Sequence, residues 1–299
     1  MSLLNSYTRV SRRHPCPVCA HTDWCLIDSR DPSAPISAIC PRVESPRRVG
    51  TAGFLHLLKQ DGSPVRGCCR TITVCTSRDF SRLATTLHDQ AAGVATATLS
   101  QMLGVSVASL RRLGVGYVLA KQLDTFHMSC RSGCWTFPMT TADGRIVGIR
   151  LRTASGRKFA LTGSKNALFV PVGMPATPEY LFITEGESDT AALLDVGVCA
   201  VGRPGCQQGA AELRQLVLRL KPVHVVVASD NDEAGHVGAI ALARSLRTVT
   251  PSVRIIRPPV AFKDMRSWRR SGMVRSDLLA VVKTSVTLRI GMSASEVAR

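Results

Sequence analysis

The sequence predicts an α/β protein in three parts: a parallel sheet flanked by helices, a basic α+β segment ahead of it, and a small cysteine-rich metal module at the N-terminus. Three observations lead there. Beyond residue 178, short apolar runs rich in β-branched residues alternate with helix-forming stretches, the pattern of buried parallel strands with crossover helices. Two of those runs end in clustered carboxylates, Glu185-Gly186-Glu187-Ser188-Asp189 and Asp230-Asn231-Asp232-Glu233. Four cysteines fall within the first 60 residues, among prolines and short alternating segments.

The 299-residue chain carries a formal net charge of +17, with arginine far outnumbering lysine. Such an excess suits a protein that tracks a polyphosphate more than an enzyme of small neutral molecules. The planar fork of arginine favours phosphate contacts. No run of about 18 or more apolar residues occurs, so no membrane span or membrane partner is expected. The N-terminus lacks the apolar stretch of a signal peptide, which predicts a cytoplasmic protein. The eleven cysteines are then expected reduced, and clustered ones point to metal before disulfide.

Residues 1–60 form the expected metal module, too poor in apolar core to fold well unaided. Residues 61–95 read as a partly ordered linker, with strand character at Thr71–Val74 and helical character from Asp79 to Ala92. In 96–175, Leu99, Met102, Leu103, Val107, Leu110 and Leu113 have helical spacing broken at Gly104 and Gly114, which predicts a small helical pair. Trp135–Met139 and Ile146–Arg152 flank the turn Ala142-Asp143-Gly144-Arg145, which predicts a hairpin, and a third strand is expected at Lys158–Leu161. Within 176–285, strands are expected near 180–184, 198–201, 223–229 and 252–256, and helices near 188–196, 208–220, 233–247 and 274–283. Residues 286–299 read as a short C-terminal tail.

Cys16-Pro17-Val18-Cys19 has the two-residue spacing that lets both thiolates reach one tetrahedral zinc. Cys25 and Cys40 are the expected second pair, brought together by a hairpin through Asp28–Pro35. His14 and His21 lie beside the first pair and are alternatives to Cys25. Arg42, Arg47 and Arg48 suggest a basic surface next to the last ligand. Of the tryptophans, Trp24 and Trp135 are candidates for stacking on bases, with core packing the blander role for each.

In the acidic segments, Gly186 permits a sharp strand-to-helix turn that leaves Glu185 at the strand end and has Asp189 start or cap the helix. Asp230 and Asp232 are two apart, which places both on one side of an extended segment. A third element, Phe262-Lys263-Asp264, follows the fourth strand. Carboxylates converging at the carboxyl ends of parallel strands repel one another unless a divalent cation lies between them. That arrangement implies magnesium-dependent phosphate chemistry.

Together, Thr184-Glu185-Gly186-Glu187-Ser188-Asp189, Asp230-Asn231-Asp232-Glu233-Ala234-Gly235 and Phe262-Lys263-Asp264 resemble the three signatures of the TOPRIM domain of bacterial and phage primases. The N-terminal cysteines are similar to the zinc ribbon that precedes it. Phe137-Pro138-Met139, Gly144–Arg150, Lys158-Phe159 and Gly163-Ser164-Lys165 resemble the basic part of the primase core. The resemblance implies template-directed synthesis of short primers on single-stranded DNA from nucleoside triphosphates. It implies that Glu185, Asp230 and Asp232 hold Mg²⁺ or Mn²⁺, two ions in all, with Asp189 and Asp264 behind them. It also implies that Cys16, Cys19, Cys25 and Cys40 hold a structural zinc, and that Arg150, Arg152, Lys158, Lys165 and Lys263 line the template and triphosphate path. The sequence contains no P-loop, so a helicase would be a separate partner, as in free-standing primases of phages and plasmids. Two rival readings are a TOPRIM nuclease, which uses the same carboxylates to cut, and a non-catalytic zinc-ribbon DNA-binding protein.

Overall fold

The computed structural model describes residues 7–45, 47–49, 53–58, 78–91, 93–126, 128, 130 and 132–288. The chain divides into two units between Arg78 and Asp79. The strand expected at Thr71–Val74 lies outside the described residues.

The first unit is an antiparallel sheet of β1 (Tyr7–Arg9), β2 (Leu26–Asp28), β3 (Ser37–Cys40), β4 (Arg48–Val49) and β5 (Gly53–Leu57), in the order β1-β2-β3-β5-β4. Its small core joins Val10, Ile27, Ala38 and Leu58 to Cys16, Cys25 and Cys40. The cysteines are thus part of what is buried, as expected of a module with few large apolar side chains.

The second unit starts with α1 (Phe80–Gln90), α2 (Val94–Leu103), α3 (Val107–Arg112), β6 (Gly116–Val118) and α4 (Ala120–Asp124). Helix α1 falls within the stretch expected as a linker. It packs as a full element, with Phe80, Ala84 and Leu87 buried against Val118, Ile149 and Leu151. Next come β7 (Cys134–Thr140), β8 (Ile146–Arg152) and β9 (Lys158–Ala160), which complete an antiparallel sheet in the order β6-β7-β8-β9. The β7–β8 turn falls where the sequence places it: Gly144 takes φ +95° and donates its N–H to the Thr141 carbonyl at 3.0 Å.

The chain then alternates through β10 (Tyr180–Glu185), α5 (Glu187–Asp195), β11 (Ala200–Arg203), α6 (Ala210–Leu220), β12 (His224–Ala228), α7 (Glu233–Leu246) and β13 (Val253–Ile256), ending in α8 (Met265–Arg270) and α9 (Arg275–Thr284). Its four strands pair in parallel in the order β11-β10-β12-β13. Both faces are covered. Phe182 and Val226 point into a core with α5, α8 and α9, while Leu181, Ile183, Val225 and Val227 point into another with α6 and α7. This period-two division explains why the strands read as unbroken apolar runs. The two sheets are stitched by isolated bridges, Thr140 to Leu168 and Phe169 to Gly202. Of the expected tail, Thr287 bridges Arg254 and Leu288 is buried.

In the order β11-β10-β12-β13, the chain runs from β10 outward to β11 and then back across to β12. The β10–α5 and β12–α7 connections therefore leave neighbouring strands at the same edge of the sheet. Crevices at such edges are where open α/β sheets take ligands.

Candidate active site and metal cluster

The turn after β10 is shaped by two glycines. Gly186 has φ +105°, a conformation L side chains rarely adopt. Gly202 on the neighbouring strand lies so close that a Cβ would fall 2.4 Å from Thr190 Oγ1 and 2.7 Å from the Gly186 carbonyl. Thr190 Oγ1 closes the turn by donating to the Gly186 carbonyl at 2.6 Å. Glu185 thereby ends the strand, while Glu187 and Asp189 occupy the first turn of α5, where the helix dipole favours anions.

The carboxylates are held in different ways. Glu185 pairs with Arg203 Nη2 through Oε1 at 3.0 Å. Asp232 is the N-cap of α7, its Oδ1 accepting from the Gly235 N–H at 2.8 Å. Asp264 is the N-cap of α8, its Oδ1 accepting from the Ser267 N–H at 2.7 Å. Asp189 Oδ1 accepts from the Arg266 N–H at 2.9 Å. Asn231 locks the β12–α7 loop to the Asp264 loop, its N–H on the Lys263 carbonyl at 2.8 Å and its amide on the Phe262 carbonyl at 2.8 Å. Asp230 alone of these carboxylates takes no hydrogen bond among the described residues.

The consequences are electrostatic. Burial, followed by the charge of Asp264, raises Asp189 to about 6. Burial, followed by the charges of Asp189, Glu185, Asp264 and Asp232, raises Asp230 to about 8. The charges of the other four sequence-predicted carboxylates thus all bear on Asp230. The ring is open: among the described residues, the four cysteines are the one group of three or more Cys, His, Asp or Glu ligand atoms mutually within 4.8 Å.

A sign follows for stability. Asp189 and Asp230 bind protons in the folded chain at pH values where the unfolded chain, with carboxylates near about 4, has released them. The folded state is therefore favoured below about pH 4 and loses that advantage as pH rises through about 6 and on through about 8. Without added divalent ions, thermal unfolding of wild type is expected to fall more steeply than that of Asp230→Asn between about pH 5 and about pH 8. Equal slopes would contradict the charge crowding.

Among the basic residues singled out by sequence, Arg152 and Lys158 converge on a carboxylate the sequence reading passed over. Glu187, buried at the start of α5, receives Lys158 Nζ at 2.8 Å and Arg152 Nη1 at 3.3 Å. Burial opposes its ionisation most strongly, but the charge and hydrogen bond of Lys158, its own backbone N–H and the Arg152 charge together outweigh that and hold Glu187 below the usual carboxylate range. Lys158 Nζ also lies over the turn, 3.7 Å from where a Cβ on Gly186 would be. Arg150 donates to Asn166 Oδ1 at 3.2 Å. Lys165 and Lys263 are exposed. No short motif announced Glu187 as a partner of the β8 and β9 cations, or Arg203 as a partner of Glu185.

In the first unit, Cys16, Cys19, Cys25 and Cys40 bring their sulfurs within 4.8 Å of one another, with 3.5 Å between Cys19 and Cys25 and 3.8 Å between Cys25 and Cys40. Four thiolates about 2.3 Å from a tetrahedral zinc lie about 3.8 Å apart, so the set fits that ion. His21 is outside the set, its Nδ1 engaged with the Cys19 carbonyl at 2.8 Å, and Cys25 is fully buried in it. Arg42 donates its backbone N–H to Cys40 Sγ at 3.4 Å and its Nη1 to Cys25 Sγ at 3.5 Å, so it orients the ligands. Burial works against ionisation here, yet the His21 backbone and the neighbouring thiols bring Cys19 down to about 6. Cys130 and Cys134 in the second unit are 3.8 Å apart with no third ligand among the described residues. Trp135 is core, donating Nε1 to the Ala95 carbonyl at 2.7 Å, whereas Trp24 is 65% exposed with Arg9 over its ring at 5.6 Å.

No protein-family model matches the sequence, and no curated protein does. Solved structures do match. A DnaG catalytic core superposes with a TM-score of 0.56 at 20% identity, covering 71% of this chain and 80% of that one. The chain has the primase catalytic-core fold. A DnaG primase catalytic domain bound to ssDNA superposes at 0.54 and 19% identity, covering 69% and 77%. The Aquifex aeolicus primase, with zinc-binding and RNA polymerase domains, superposes at 0.54 and 13% identity, covering 70% and 60%. Within the primase fold, the parallel sheet carries the acidic ring and the β6–β9 sheet carries the cations beside it. No described helix is long and apolar enough to cross a membrane.

Proposed function

We propose that the protein is a primase-type nucleotidyltransferase that makes short primers on single-stranded DNA from nucleoside triphosphates. One observation carries this reading: within a primase fold, the charges of Glu185, Asp189, Asp232 and Asp264 all bear on Asp230, which is partly buried, takes no hydrogen bond among the described residues and, through burial first and those charges next, has its proton affinity raised. Such crowding is costly unless a cation relieves it.

Glu185, Asp230 and Asp232 would hold Mg²⁺ or Mn²⁺, with Asp189 and Asp264 supporting. Glu185 and Asp232 each have one oxygen held by the fold and, among the described residues, a second without a partner, whereas the second oxygens of Asp189 and Asp264 meet Ser188 Oγ at 3.3 Å and Arg266 Nη2 at 3.6 Å, in keeping with a supporting role. Two such ions would share these carboxylates. Ligands across one Mg²⁺ are about 4 Å apart, and two ions about 4 Å apart spread them further, beyond a single tight cluster. Bound divalent ions would lower the pKa of an attacking 3′-hydroxyl and neutralise charge on pyrophosphate.

The chain's own residues do the rest. Lys158, one-third exposed beside the turn, and Arg152 next to it offer positive charge for triphosphate oxygens. Glu187 keeps both cations at the rim of the acidic ring before substrate arrives. Helix N-termini at Asp232 and Asp264 fix the carboxylates, so positioning is established in advance of binding. No histidine base is required, because phosphoryl transfer depends chiefly on positioning and charge neutralisation. The cysteine unit, with zinc, would hold template through salt-sensitive phosphate contacts of its arginines.

The test is incubation of the full chain with single-stranded template, Mg²⁺ or Mn²⁺ and labelled nucleotides, beside Asp230→Ala. Short labelled products absent from the variant are the expected result. Metal-dependent cutting of the template would assign a nuclease instead, and intact template bound equally by both proteins would remove any catalytic role.

A further inference from the structure

Arg203 is a cation with almost no access to solvent, 2% exposed, yet it sits in no predicted signature. It ends β11 opposite Glu185 in the parallel register. Its Nη1 is fixed by two backbone carbonyls, of Cys206 and of Gly238, the latter at 3.2 Å on α7. Its Nη2 donates to Glu185 Oε1 at 3.0 Å. The guanidinium is therefore anchored at one arm to the loop after β11 and to the helix that follows Asp232, and grips the strand-end glutamate with the other. Glu185 Oε2 has no partner among the described residues.

A buried guanidinium requires a counter-charge, and Glu185 is its ion-pair partner. A merely structural pair, however, would place no demand on the free oxygen. The geometry here does. A glutamate side chain has three rotatable bonds and, at the rim of a crowded acidic ring, is driven away from Asp230 by repulsion. Holding Oε1 opposes that swing and keeps the second oxygen at the ring.

We propose that Arg203 is a positioning residue for divalent-cation binding: it fixes Glu185 through Oε1 so that Oε2 is presented as a one-oxygen ligand. This rests on the assignment of the acidic ring as a divalent-metal centre. Two effects oppose each other when the guanidinium is removed. Loss of a nearby positive charge favours a cation, while loss of the fixed carboxylate disfavours it. The second prevails because Arg203 is neutralised by its own partner, whereas an outer-shell contact to a metal ligand is worth about 10- to 100-fold in affinity.

The experiment measures Mn²⁺ bound to the zinc-loaded full chain, by electron paramagnetic resonance of free Mn²⁺, for wild type, Arg203→Met, Arg203→Lys and Asp230→Asn. Binding lost in Asp230→Asn defines the carboxylate sites. At those sites Arg203→Met is expected to bind Mn²⁺ about 10-fold or more weakly. Arg203→Lys, which reaches Glu185 but cannot also span both carbonyls, is expected in between, a partial rescue that a purely structural role would not give. Where Arg203→Met fails to fold, Arg203→Lys decides, with unchanged affinity overturning the proposal. Affinity unchanged or tightened in folded Arg203→Met overturns it as well. Wild type with no Asp230-dependent Mn²⁺ binding sinks the metal-centre reading itself, and the proposal falls with it.

Discussion

Replacing Asp230 by Asn is expected to abolish primer synthesis, by on the order of 10³-fold or more, while the protein stays folded and still binds single-stranded DNA. The side chain is nearly isosteric, so packing is kept. The carboxylate it removes takes no hydrogen bond among the described residues, in contrast to Asp232 and Asp264, whose loss also strips a helix cap. The capping loss alone costs about 1 kcal/mol of stability. Asp230→Asn should do the reverse and stabilise the metal-free protein near pH 8, since it relieves the burial and repulsion that raise Asp230 to about 8. Loss of activity with a gain in metal-free stability is the signature of a functional charge held against the fold's own preference. Retained synthesis, or a stability loss matching that of the capping variants, would remove Asp230 from the centre of the site.

The second large effect is expected from Cys40→Ser. Cys40 is fully buried in the first unit's core, and that core contains few large apolar side chains. Zinc in such modules supplies on the order of 10 to 16 kcal/mol of folding free energy. Losing one thiolate should therefore cost both metal and fold. Zinc content is expected to drop from about one per chain to near zero, and the antiparallel sheet of the first unit to unfold. The second unit has its own cores on both faces of its parallel sheet and should keep its thermal transition. A folded, zinc-free first unit in Cys40→Ser would show that the cysteines are ordinary core residues. Arg42→Ala should give a weaker form of the same effect, a loss of about 10-fold in zinc affinity, because it donates to two of the sulfurs.

The parallel half of the fold was legible because its signals are local. Apolar runs buried on both faces and glycines at sharp turns placed β10 to β13 and α5 to α7 within two or three residues of where they lie. Asp189, Asp230, Asp232 and Asp264 were legible because each sits at a strand end or in the first turn of a helix. The sequence offered much less where contacts are distant. Arg203 meets Glu185 only because two parallel strands share a register, and nothing in Gly202-Arg203-Pro204-Gly205 marks it. Glu187 is adjacent to the glutamate that was singled out, but its partners Lys158 and Arg152 come from another sheet. Helix α1 has a buried stripe at Phe80, Ala84 and Leu87, but its neighbours in sequence gave it no sheet to pack on. Strand β6 and helices α4 and α8 are three to six residues long, too short for a periodic pattern to stand out.

If Glu185, Asp230 and Asp232 share divalent ions at the carboxyl ends of the parallel strands, the ions can be located directly. Crystals of the full chain soaked in Mn²⁺, measured at a wavelength where manganese scatters anomalously, test that arrangement without recourse to activity. Anomalous peaks are expected among these three carboxylates, separate from the zinc of the cysteine cluster, and are expected to disappear in Asp230→Asn. Manganese absent from the ring, or bound there undiminished in the variant, would contradict that arrangement.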